Sequence, residues 1–372
     1  MNPKTDKYKF PAMTDKFSEG VLVITQWLLD YYHFRDHEKD EGYKHITPLQ
    51  FQNAMGKNCS TLANRYRGAL LGLAVGDALG VPLEFQPRPP DNIITDIVGG
   101  GPFNLKSGKW TDDTSMALCM AHSLLRRHKF DPRDQMDLYV SWWRNGSFSS
   151  TGECFDIGDT VSAALKRYEE TNNPMAGSTD TRSAGNGSLM RLAPVVLFYA
   201  SHPDDALDFA AESSKTTHAA TEAVDACRYF AGLILGALYG ESKETILSAN
   251  YTPEKRYWEF EPLTEKIKTI ADGSYKNKIR DDIKSTGYVV DSLEAALWAF
   301  YNSRSFKEGA IKAVNLGGDA DTIGAIYGQI AGAFYGETGI PFEWIGKIAY
   351  NHVFYMIADE MISFYSGKPI YK

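Results

Sequence analysis

The chain has 372 residues, 43% hydrophobic and 23% charged, the balance of a globular protein with material for one large core or two modest ones. Its formal net charge of −8 argues against a nucleic-acid partner, which needs a basic face, and no apolar run is long enough to span a bilayer. Four cysteines (Cys59, Cys119, Cys154, Cys227) lie far apart with no C-x-x-C pair. This argues against a disulfide framework or thiolate metal site and fits a reducing cytoplasm; the amino terminus lacks the apolar stretch of a signal peptide.

Residues 1–60 are rich in aromatics and in charges of both signs. Ser18 and Glu19 before the run from Val21 to Tyr32 predict a capped helix, and Thr47-Pro48 opens a second, short one ending near Gly56. Gly56 to Ser60 reads as a linker. From Leu62 the texture changes to Ala/Gly/Leu-rich segments of helical period: Arg67 to Leu79, Ser115 to Arg127, Asp159 to Glu169, Ala219 to Leu238, Ser292 to Ser303 and Thr322 to Tyr335. Ile93 to Ile97 and Gly287 to Val290 are too short to make a sheet, and no repeat of 20 to 50 residues is present. The expectation is an all-α protein: a small helical extension over residues 1–60 and one multi-helix domain over residues 61–372.

Two acidic segments stand at helix mouths. Thr111-Asp112-Asp113-Thr114 precedes one apolar run, and Asp319-Ala320-Asp321-Thr322 opens another some two hundred residues later. Either one alone reads equally well as a cap satisfying free backbone N–H groups. Together they offer carboxylate and hydroxyl oxygens only, which suit Mg²⁺ or Mn²⁺, whereas zinc calls for His or Cys. Converging carboxylates repel one another, and a pair of ions about 3.5–4 Å apart would relieve that. The residues therefore predict a hard-metal site.

The segments Gly68 to Gly80, Trp110 to Thr114, Gly185-Asn186-Gly187-Ser188-Leu189-Met190-Arg191, Thr217-His218 and Gly317 to Thr322 resemble, in order, the motifs of the ADP-ribosylglycohydrolase family. That family includes the dinitrogenase reductase-activating glycohydrolase and the ADP-ribosylarginine hydrolases. The resemblance covers about residues 62 to 360 and implies an all-α fold with a cleft holding two Mg²⁺ or Mn²⁺ ions. It implies Thr111, Asp112, Asp113, Asp319, Asp321 and Thr322 as metal ligands. Glu84, Asp156 and Asp113 would be the catalytic carboxylates; outside the resemblance, Glu84 reads as a solvated loop carboxylate and Asp156 as the cap of the helix after it. Gly185, Asn186, Gly187 and Ser188 would let backbone N–H groups approach a diphosphate. His218 would contact ribose or phosphate, and Tyr288 would pack on the nucleotide. The implied reaction is hydrolysis of the N-glycosidic bond of an ADP-ribosylated protein, restoring the target. Gly99 to Phe103 and Lys106 to Trp110 resemble the arginine-directed branch.

Residues 1–60 fall outside that core. They read as a packing appendage, with Trp27 and Tyr31 on one helix face, or as a docking element for a protein partner. Some bacterial members of the family are immunity proteins, so the implied partner is an ADP-ribosyltransferase toxin. Two rival readings remain: a non-catalytic module that binds ADP-ribose or a toxin, and a hydrolase of another ADP-ribosyl linkage.

Overall fold

The computed structural model describes residues 61–254 and 256–366, with side chains as far as residue 362. The two helices and the linker predicted within residues 1–60 lie outside the described residues. In chain order the helices are α1 (Thr61–Gly80), α2 (Asp112–Arg127), α3 (Pro132–Asn145), α4 (Asp159–Thr171), α5 (Ala193–Phe198), α6 (Pro203–Lys215), α7 (Thr221–Tyr239), α8 (Lys243–Ile246), α9 (Tyr257–Phe260), α10 (Glu265–Ala271), α11 (Val289–Tyr301), α12 (Phe306–Val314), α13 (Ala320–Tyr335), α14 (Phe342–Lys347) and α15 (His352–Ser366). Among the described residues there is no strand; Gly287 to Val290 supplies only an isolated bridge, Gly185 to Tyr288. The protein is all-α, as expected.

Local chemistry explains several ends. Asp131 accepts from the Asp134 backbone N–H and Pro132 takes the first helical position, so α3 starts there; Gly146 ends it in the left-handed region at φ 71°. These signals stand in the sequence, although the hydrophobic period alone did not pick out this helix. Ser305 caps α12 in the same way, accepting from Glu308 N.

The fold is organised by α1 against α13, which run antiparallel. Gly68, Gly72 and Gly76 face Gly332, Gly328 and Gly324 in turn. A Cβ added at Gly76 would stand 1.9 Å from the Gly324 carbonyl oxygen, and one at Gly328 the same distance from that of Gly72. The i, i+4 spacing puts each glycine set on one helix face, and hydrogen in place of a side chain lets the backbones touch. At the end of this seam Gly80 meets Ala320 and Asp321. The seam therefore sets the carboxyl end of α1 beside the amino end of α13. Helix α7, buried along almost its whole length, and α11 pack on α13, while α15 lies along α1. Arg67 and Asp359 lock α15 to α1 through a buried two-bond ion pair of 2.6 and 2.8 Å. No helix among the described residues is long and apolar enough to cross a membrane.

Candidate active site

Three chain segments meet where α1 ends. The first is the turn after α1, in which Pro82 helps to form one 3-10 turn and Glu84 follows it. The second is the start of α2, which takes Asp112 and Asp113 into its first turn; the helix begins three residues earlier than the period predicted. The third is the start of α13, with Asp319 at the cap position and Asp321 and Thr322 in the first turn. Both helix N-termini bring partial positive charge to the same place, which favours carboxylates there.

The reading of Thr111 or its aspartate neighbours as a plain side-chain cap does not hold. Neither the Thr111 nor the Asp319 side chain makes a cap hydrogen bond. Asp77, one helix away, does that work for α2. Its carboxylate accepts from Thr111 N at 3.0 Å and Thr114 N at 3.1 Å, and from the two hydroxyls at 3.1 and 2.6 Å. With Asp77 satisfying those donors, the Asp112 and Asp113 carboxylates are not needed to cap their helix. Asp77 lies within the Gly68 to Gly80 motif but carried no assigned role; its signal was a lone carboxylate inside an otherwise apolar Gly/Ala helix. Asp77→Ala is expected to leave those backbone donors unsatisfied, costing about 2–4 kcal/mol of stability, and to lower activity by about 100-fold or more by loosening Asp112 and Asp113. Urea unfolding and initial rates measure the two effects, and Asp77→Asn should recover part of each.

Glu84, Asp156 and Asp321 each present a carboxylate oxygen within 4.8 Å of the other two. Asp113 joins the clusters: its Oδ2 accepts from Thr111 Oγ1 at 3.0 Å and from Thr322 Oγ1 at 3.4 Å. Glu84, Asp113 and Asp321 are buried, and each keeps one oxygen with no hydrogen-bond partner among the described residues. Burial raises the Asp112, Asp113 and Asp321 carboxyls far above the ordinary range, and neighbouring carboxylates raise them further. Asp319 is half-buried and also raised by burial, while hydrogen bonds from Asn186 and Thr322 pull it back. Such unsatisfied, mutually repelling oxygens fit a divalent cation, whose charge would balance them and whose preference is for oxygen.

Asp156 is not the cap of α4; that position belongs to Gly158. It sits on the preceding loop in the left-handed region, φ 58°, and shares a hydrogen bond with Glu84. Burial raises both groups, and Glu84 the more, because the charge of Asp156 adds to its desolvation. A left-handed backbone at a non-glycine residue costs energy, and it is held here at a cluster of acids. The loop is tied to the entry of α2 by Ser150 Oγ donating to Trp110 O at 2.6 Å.

The glycine loop reaches the acids through Asn186, whose Nδ2 donates to Asp319 Oδ2 at 2.6 Å and to Ser292 Oγ at 2.8 Å. Gln329 of α13 anchors the far side of the loop, donating to Leu189 and Met190 carbonyls and accepting from Ala193 N. Gly185 and Gly187 lie against the His218 ring. The Ser188 hydroxyl turns away from the acids, buried in a network with Ser214 and Cys227, so only its backbone is left to serve a ligand. Tyr288 bridges to Gly185, and its hydroxyl bonds Glu222 and Lys266. The candidate residues thus stand on the starts of α2 and α13, on the turn and loop that carry Glu84 and Asp156, and on the glycine loop with His218 and Tyr288 beside it.

This arrangement has counterparts. The family profile described as ADP-ribosylglycohydrolase matches residues 58–368. A Pseudomonas putida protein named ADP-ribosylarginine hydrolase Tri1 is 43% identical over 298 residues, 80% of this chain and 78% of its own. A Rhodospirillum rubrum protein named ADP-ribosyl-[dinitrogen reductase] glycohydrolase is 31% identical, covering 77% and 90% of the two chains. Among solved structures, one titled ADP-ribosylglycohydrolase-related protein complex superposes with a TM-score of 0.72 at 41% identity, covering 82% of this chain and 99% of that one.

Proposed function

The chain belongs to the ADP-ribosylglycohydrolase family and is an ADP-ribosylglycohydrolase enzyme, and from that premise we propose that it releases ADP-ribose from arginine side chains of modified proteins with the help of two Mg²⁺ or Mn²⁺ ions. The observation that carries this reading is the meeting of Glu84, Asp156 and Asp321 within 4.8 Å at the joined ends of α1, α2 and α13. Thr111, Asp112, Asp113, Asp319, Asp321 and Thr322 would hold the ions. When bound, these would balance the carboxylates, bind ribose hydroxyls and lower the pKa of a nearby water.

The remaining work falls to the chain itself. Glu84 and Asp156 lie within 4.8 Å of each other, and burial raises both and Glu84 the more, which provides an acid and a base side by side. The base takes the proton of the water that attacks ribose C1″, and the acid returns one to the departing guanidine nitrogen. Gly185, Asn186, Gly187 and His218 orient the diphosphate, and Tyr288 packs on the nucleotide. The arginine linkage is favoured by the Pseudomonas putida and Serratia proteamaculans relatives, both named ADP-ribosylarginine hydrolase.

Incubation with Mg²⁺ and defined peptides tests this. ADP-ribosylarginine peptide should be cleaved about 100-fold faster than ADP-ribosylserine peptide, and chelation should stop the release. Preference for serine would overturn the linkage; no release from either, with the fold intact, would favour the non-catalytic binding module.

Residues 1–60 we assign to docking of an ADP-ribosyltransferase toxin, which would make the protein an immunity protein. The support is their interleaving of aromatics such as Trp27, Tyr31 and Phe34 with charges. Deleting residues 1–45 is expected to leave hydrolysis intact and abolish toxin binding in a pull-down. Loss of hydrolysis with unchanged binding would overturn this role.

A further inference from the structure

Arg191 is a cation in the interior that no acid among the described residues meets. The residue is fully buried, and no carboxylate among the described residues forms an ion pair with it. Its Nη1 donates to the Gly187 carbonyl at 2.7 Å and its Nη2 to Thr217 Oγ1 at 2.6 Å; its guanidinium carbon lies 4.7 Å from the Tyr139 ring centre, and its Nε has no partner. A buried cation left in this state is costly unless something anionic completes it.

The chain of donors runs on from there. A guanidinium only donates, so Thr217 Oγ1 accepts from Arg191. The hydroxyl's other neighbour is His218 Nδ1 at 2.8 Å. If Nδ1 carried a proton, the Thr217 proton would have no acceptor among the described residues; with Nδ1 bare, the Thr217 hydroxyl accepts from Arg191 and donates to His218. The backbone of His218 is fixed from below, its N donating to Ser214 O at 2.7 Å and its carbonyl accepting from Ser214 Oγ at 2.8 Å. Burial and the Arg191 charge push the imidazole down to about 3, so it is neutral at physiological pH.

Among the described residues the opposite ring nitrogen has no hydrogen-bond partner. It borders Gly185 and Gly187, where an added Cβ would stand 3.3 and 3.2 Å from Nε2. The absence of side chains at these two positions leaves that N–H a gap to work through. Asn186, between the glycines, ties the same loop to Asp319.

We propose that Arg191 and Thr217 are positioning residues that hold His218 as the Nε2–H tautomer, so that this N–H donates to the diphosphate of the ADP-ribosyl group lying on the Gly185–Gly187 loop. The ligand half rests on the functional reading above. His218 is then a fixed hydrogen-bond donor rather than an acid or base, with its proton placed from two residues away.

The full chain labelled with ¹⁵N-histidine gives the tautomer directly by long-range ¹H–¹⁵N NMR, the His218 signals being assigned by their loss in His218→Gln. The wild type should show protonated Nε2 and bare Nδ1 without any ligand. Thr217→Ser should keep that pattern and the wild-type KM. Thr217→Val should lose the fixed tautomer and raise KM for the ADP-ribosylarginine peptide about tenfold or more, with a much smaller change in kcat. Arg191→Lys, which keeps the charge but not the fork, should act in the same direction. A protonated Nδ1 in the wild type, or Thr217→Val unchanged in tautomer and KM, overturns the positioning role whatever the ligand is. Adding ADP-ribose should move the His218 Nε2 signals. The stated tautomer with no response to saturating ADP-ribose overturns the donation to diphosphate alone.

Discussion

Asp321→Asn is expected to reduce ADP-ribose release by about a thousandfold while making the metal-free protein more stable. The first effect follows because Asp321 is the one residue that belongs both to the expected ligand set and to the close triad with Glu84 and Asp156; removing such a preorganised charge costs about 10²–10³ in rate. The second is the less obvious. Asp321 is 1% exposed, keeps one oxygen without a partner, and has Glu84, Asp113, Asp319 and Asp156 pushing its carboxyl above the ordinary range. An amide of the same shape carries no charge to bury or repel. The metal-free midpoint should therefore rise by a few degrees, about 1–3 kcal/mol in stability. Excess Mg²⁺ should raise the wild-type midpoint and leave that of the variant nearly unchanged.

The same carboxyls give a pH signature. A carboxyl whose folded pKa lies above its unfolded one takes up a proton on folding between the two values, so stability falls as pH rises through that window. The metal-free wild type should lose midpoint from about pH 4 upward, and Asp321→Asn should flatten that slope. Scanning calorimetry with chelator at several pH values measures both. A variant less stable than wild type in chelator and in Mg²⁺ alike would show that Asp321 serves packing rather than charge.

Gly76→Ala is expected to remove folded protein from solution altogether. By local propensity the change should help, since Ala favours a helix interior by about 1 kcal/mol. Across the seam, however, the new methyl would stand 1.9 Å from the Gly324 carbonyl oxygen and 2.4 Å from its carbon. Both are backbone atoms of a helix that cannot step aside without carrying Asp319 to Thr322 away from the cleft. The expected cost exceeds about 4 kcal/mol, the range of severe core overpacking. Gly346→Ala is the control: it lies in α14 with open space around its added Cβ, and should be neutral or slightly stabilising. Soluble yield and urea midpoints distinguish the two. Equal behaviour of both variants would mean that the α1–α13 seam is not close-packed.

Much of this was open to reading in the chain itself. The helical period of Arg67 to Leu79 and of Thr322 to Tyr335 marks α1 and α13, and the two aspartate segments mark the acidic starts of α2 and α13. Helices such as α3 were missed because their evidence lies in caps, Asp131-Pro132 and Gly146, more than in a long apolar stripe. Outside the family resemblance Asp156 reads as a cap because its sequence neighbourhood looks like one; the left-handed turn on which it sits beside Glu84 is a property of the loop, not of any local pattern.

Composition, period and acid spacing determined by themselves that the chain is helical and that carboxylates and hydroxyls stand at two helix mouths, because these depend on residues close in sequence. Which acids meet was decided only by the tertiary structure. Glycine against glycine along α1 and α13 brings Glu84 to Asp321, Asp77 frees Asp112 and Asp113 by capping their helix from another, and Arg191 reaches His218 through Thr217. Each of these depends on backbones approaching across tens to hundreds of residues, and that approach depends on the packing of whole helices.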